Sequence, residues 1–178
     1  MDTPLSLAAD DFVLFDLPRR YALDPDALDA RWKALQATAH PDRHAGATAA
    51  AQRLAMQWAV RINEARARLG NPLARAIYLC RLHGQELGEH DNTAMPPEFL
   101  LQQMAWREAL AESPGPGDVE ALAVEVAAAR RELLRAIEVG IDAQVPVDWP
   151  GVAALVRRLM FIERFEADID RRLDTLQD

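Results

Sequence analysis

Residues 40 to 44 read His-Pro-Asp-Arg-His, which puts two imidazoles and a carboxylate within five positions. Those groups are ligand types that zinc or another transition ion accepts. A metal centre needs further donors converging on the same point, and the rest of the chain offers none in a recognisable pattern. His83 and His90 flank a turn-rich stretch without a ligand motif, and Cys80, the single cysteine, lies in an apolar run that reads as a buried structural thiol. We therefore expect no metal, no cofactor and no catalysis. Pro41 is the more informative residue. It disfavours α geometry in His40 and has no N–H to donate, so a helix arriving from the N-terminal side must stop near Ala39. His40 and Asp42 then form a rigid polar projection.

The flanking sequence supplies the elements that would hold such a projection. Upstream, Asp24 serves as N-cap, Pro25 takes the first helical position, and Leu28, Trp32, Leu35 and Ala39 recur on one helical face. Downstream, Ala51, Leu54, Trp58, Ile62, Ala65 and Leu69 form a second stripe that breaks at Gly70-Asn71-Pro72. Two antiparallel helices joined by a His-Pro-Asp loop are predicted. A short helix over Asp-Asp-Phe-Val-Leu-Phe-Asp-Leu precedes them, capped by Asp10 or Asp11 and closed by Pro18, and another runs from Pro72 to about His83. Further helices are expected over about 97–112, 118–139 and 149–176, separated by short loops that make successive helices antiparallel. No segment alternates with period two, so the class is all-α.

Composition agrees with a globular protein: 50% of residues are hydrophobic and 27% charged. No apolar run approaches the roughly 20 residues that cross a bilayer, and the acidic first residues resemble neither a secretory signal nor a transit peptide. A cytoplasmic protein with no membrane association is expected. Residues 1–88 hold 11 Lys plus Arg against 10 Asp plus Glu, while residues 89–178 hold 9 against 18. Neither half offers the concentrated basic surface that nucleic acid requires.

A capped amphipathic helix, His-Pro-Asp, then a long helix with an Ala-rich and aromatic core face resembles a J-domain, over residues 11 to 46. The stretch from Ile62 to Gly84, together with "FLLQQMAWREAL" and "VRRLMFIERF" further on, resembles the HscB family of co-chaperones dedicated to iron–sulfur cluster assembly. The resemblance implies an L-shaped arrangement: residues 1–10 flexible, a J-domain over 11–75, a connecting helix and linker over 76–94, and a three-helix scaffold-binding bundle over 95–178. It implies that His40, Pro41 and Asp42, assisted by Lys33, Arg31 and Arg43, engage an HscA-type chaperone of the DnaK family and stimulate its ATPase. The second partner would be an IscU-type iron–sulfur scaffold protein, and a monomer is expected. Ala37 and Ala39 stand where relatives often carry Arg and Tyr, so the basic face is thin, and Arg61, Arg66 and Arg68 are either supplementary contacts or a solvated face. A general J-protein that delivers unfolded clients is the alternative, but the Gly/Phe-rich linker and Cys-rich region of that class are missing.

On a helical wheel at about 100° per residue, the 97–112 segment carries two apolar arcs. Phe99, Trp106 and Leu110 form one, which reads as core. Leu100, Met104 and Leu101 form the other, followed by Glu108 and Glu112. On the last helix Val152, Leu155, Leu159, Ile162, Ile169 and Leu173 make a core stripe, and Phe161 points away from it as an exposed aromatic. Apolar groups rimmed by acids suit a protein contact. By resemblance, Leu100, Leu101, Met104, Glu108, Glu112 and Phe161 match the scaffold-binding surface, with Ala105 departing where relatives often carry an acid.

Overall fold

The computed structural model describes residues 6–39, 46, 48–87 and 95–177. Its elements are α1 (Asp11–Phe15), α2 (Pro25–Ala39), α3 (Ala49–Gly70), α4 (Pro72–Leu82), α5 (Pro97–Glu112), α6 (Pro116–Asp142) and α7 (Trp149–Gln177), with no strand among the described residues. The chain divides into two compact units, Met1–Leu79 and Cys80–Asp178, so the division falls within α4.

In the first unit, α1 begins at Asp10, whose carboxylate accepts from the Val13 N–H. It ends at Asp16, which adopts a left-handed conformation with φ 50°, two residues before the expected stop at Pro18. The helices α2 and α3 run antiparallel: Asp29 pairs with Arg66, while Trp32 Nε1 and Gln36 Nε2 both donate to Asn63 Oδ1. Phe12, Phe15, Leu28, Ile62, Ala65 and Leu69 fill the core. Leu54 departs from its expected core position and is 48% exposed. The facing part of α2 offers only Leu35, Thr38 and Ala39, and these side chains are too small to close over Leu54 and Trp58; a groove of about 370 Å³ is left.

In the second unit, Phe99 stacks edge-on to Phe161 and Trp106 lies parallel to Phe165, so α5 and α7 run in the same direction. Between them α6 runs the opposite way: Arg130 meets Glu163 and Glu166, and Trp106 Nε1 donates to Glu125. Val119, Val126, Ile137, Val156, Leu159, Ile162 and Phe165 form the core. The helix α6 is longer than expected at both ends. Gly140, which reads as a breaker in sequence, is buried inside it, where a Cβ would lie 3.1 Å from Val152 Cγ2. That glycine is there for close helix packing rather than for a turn.

Candidate functional site

Among the residues expected to meet a chaperone, Lys33 is exposed on α2, and Arg31, also exposed, pairs with Asp16 at 2.5 Å. His40, Pro41, Asp42 and Arg43 lie outside the described residues, as does His44. The three arginines of α3 are neither a solvated face nor a free basic patch. Arg61 bonds to the carbonyls of Leu7 and Ala9 and lies 2.6 Å from Asp11; Arg68 donates to the other Asp11 oxygen at 2.7 Å. Arg66 holds Asp29 and covers the Trp32 ring at 4.7 Å. Their charge is committed inside the unit.

Within the second unit, α5 exposes Leu101 and Met104 at 66% each and Leu100 at 37%, while Glu108 and Glu112 are also exposed. Phe161 differs from its expected free-standing position. Its ring is half-buried, 5.8 Å from Phe99 and 5.9 Å from Phe165, with the Arg107 guanidinium 5.3 Å from its centroid. The 120° offset from the α7 stripe turns it toward α5 instead of solvent. Leu100, Met104 and Phe161 therefore converge on one groove of about 750 Å³ between α5 and α7. Leu101, Glu108 and Glu112 lie on exposed parts of α5 but do not line that groove.

The sequence reading missed several residues that do line it. Gln103 sits within the apolar part of α5 and is 5% exposed; Arg107, Arg157, Met160, Arg164 and Arg171 complete the walls. The readable signal was the seven-residue spacing of Arg157, Arg164 and Arg171, which sets them along one face of a helix. Elsewhere in this unit, Arg157 donates to the Glu86 carbonyl, Arg158 covers Phe99, and His83 stacks on Trp149 with centroids 3.8 Å apart. Cys80 is fully buried, and burial pushes its thiol up to about 11 despite the nearby Arg157. Burial also raises Glu166, against the pull of Arg130. The described residues contain no group of three or more His, Cys, Asp or Glu side chains placed to hold a metal. No described helix is long and apolar enough to cross a membrane.

An all-helical chain with this groove invites comparison with known proteins. Residues 95–170 match the family profile described as the HSCB C-terminal oligomerisation domain. A co-chaperone protein HscB homolog from Burkholderia mallei is 45% identical over 174 residues, covering 97% of this chain and 99% of that protein. The chain belongs to the HscB family. A second HscB homolog, from Ralstonia nicotianae, is 43% identical over 175 residues, covering 94% of this chain and 96% of its own. Among solved structures, chaperone HscB from Vibrio cholerae aligns with a TM-score of 0.80 and 32% identity, over 94% of this chain and 99% of that one. Human co-chaperone HscB shares the fold, with a TM-score of 0.86 at 24% identity over 96% of this chain and 84% of its own. The all-helical order, a J-domain followed by a helical C-terminal domain, is that of the HscB structures.

Proposed function

We propose that this chain is a cytoplasmic co-chaperone that binds an IscU-type iron–sulfur scaffold protein through its C-terminal bundle and brings it to an HscA-type chaperone. The carrying observation is the apolar surface of Leu100, Leu101 and Met104 on a helix whose core side is already filled by Phe99 and Trp106. A bundle with a complete core gains nothing internally from three more exposed apolar groups, so a partner is their natural cover. The family profile names oligomerisation; on this reading the assembly formed is with the scaffold, and the chain alone is a monomer. Leu101, Glu108 and Glu112 extend the contact beyond the groove.

The J-domain, taken as residues 11–75, acts on the other partner through His40, Pro41 and Asp42, with Lys33, Arg31 and Arg43 beside them. No bond is made or broken by this chain. A co-chaperone that binds the hydrolysis-competent state of an ATPase more tightly than its resting state shifts the population toward hydrolysis. Holding client and chaperone on one chain raises their effective concentration for each other. Names of relatives such as the Burkholderia mallei co-chaperone support this reading.

Steady-state ATPase of the cognate chaperone, with this protein, with scaffold, with both and with neither, tests it. Both together should exceed the sum of the separate effects. Equal stimulation with an unfolded client in place of folded scaffold would point to a general J-protein instead.

A further inference from the structure

Within the second unit, the end of α4 is fastened to α7. The helix closes at His83: the Gly84 N–H donates to the Arg81 carbonyl and the Gln85 N–H to the Cys80 carbonyl, with Gly84 at φ 75°. His83 therefore stands at the negative end of the α4 dipole, where a cation is favoured. Its imidazole lies flat on the Trp149 indole, with centroids 3.8 Å apart and planes 10° from parallel. Trp149 is the first residue of α7, and the turn it opens is capped by Asp148, whose Oδ1 accepts from the Gly151 N–H. Farther along α7, Arg157 donates to the Glu86 carbonyl, and Leu87 next to Glu86 is buried. Of His83, Asp148, Trp149 and Arg157, only His83 changes charge near neutral pH.

We propose that His83 is a pH-responsive latch: taking up a proton tightens its stack on Trp149, and with it the hold of the bundle on the end of α4. The face of an indole attracts a cation laid against it, more strongly than the face of Tyr or Phe. Both the indole and the α4 dipole thus favour imidazolium over imidazole. Charged groups on the elements that meet here pull both ways. Arg81 on α4 and Arg157 on α7 oppose a further positive charge, whereas Glu86 after α4, Asp142 at the end of α6 and Asp148 before α7 favour it. The Asp148 carboxylate also offsets the positive end of the α7 dipole. His83 as a whole is exposed, so water screens the more distant charges, and the ring in direct contact tips the balance. The chain passes from the first unit to the second within α4, so the latch governs the grip of the second unit on that connecting helix. A group favoured as a cation in the folded chain gives stability that is full below its unfolded midpoint, about 6.5, and is lost as pH rises through the folded one.

Proton NMR titration of the full chain between about pH 5 and about pH 8.5 tests this, with His83→Gln identifying the His83 signal among the four histidines. Trp149→Leu should lower the His83 midpoint by about half a pH unit, the shift that loss of an ordinary cation–π contact implies. Trp149→Phe keeps a weaker aromatic face and should fall between the two. Equal midpoints in all three proteins overturn the proposal. Urea melts at about pH 5.5 and about pH 8 read the same linkage through stability: the parent should hold a larger margin over His83→Gln at the lower pH. These melts need no change at Trp149, so they decide the matter should Trp149→Leu unfold the bundle. A margin that is equal at both pH values, or larger at the higher one, would show that His83 packs on Trp149 as a neutral ring and that there is no latch.

Discussion

The Asp11 carboxylate, wholly buried, is shared between Arg61 at 2.6 Å and Arg68 at 2.7 Å. Its own backbone N–H donates to the Tyr78 hydroxyl at 2.9 Å, so one residue joins α1, α3 and α4 within the first unit. Removing one partner of a buried ion pair strands the other charge and commonly costs about 3 to 5 kcal/mol. Asp11→Ala should therefore destabilise strongly in urea melts. Arg68→Met should cost clearly less, because Arg61 continues to face Asp11. Equal losses for the two variants would show that the carboxylate does not rely on both arginines.

A second prediction separates Phe161 from the leucine and methionine that share its groove. Phe161 is flanked by Phe99 and Phe165 and covered by Arg107. Truncation to Ala should cost about 2 kcal/mol of stability, below the full price of a buried aromatic because the ring is only half-buried. Met104→Ala, at 66% exposure, should change stability by less than about 0.5 kcal/mol. Denaturant melts of the two single variants decide it, and matching losses would contradict the geometry.

His40→Gln should leave the helical circular dichroism spectrum and scaffold affinity unchanged while removing stimulation of the chaperone's ATPase. Retained stimulation would remove His40 from the proposed mechanism.

Cys80 offers a chemical check. With its thiol pushed up to about 11 by burial, only about one molecule in a thousand carries the thiolate at pH 8. Iodoacetamide should leave the native protein unmodified under those conditions and label it fully once urea has unfolded it. Rapid native labelling would mean that the residue is reached from solvent.

The helices were legible because their signals are local. Asp24 and Pro25 open α2, Pro97 opens α5, and Gly70-Asn71-Pro72 ends α3. The misplaced boundaries came from residues whose role is set by a distant neighbour. Gly140 faces Val152 across a helix crossing, and nothing in its own surroundings distinguishes it from a helix-ending glycine. The apolar arc of α5 followed from periodicity, whereas the arginine wall came from α7 and was hidden by averaging charge over half the chain. Phe161 was misread for a related reason: one helix's wheel gives a direction but not what stands there.

The two ends of the α2–α3 hairpin are built unequally. Phe12, Asp11, Ala65 and Leu69 are fully buried at one end; at the other, Leu54 and Trp58 border the open groove above Leu35 and Ala39. Opening free energies within a protein follow such differences in packing. Backbone amides of the first turns of α3 should therefore exchange with solvent long before those near Leu69. Ala39 ends α2 at the loosely packed end, so that end of the hairpin can open while its clamped base preserves the fold.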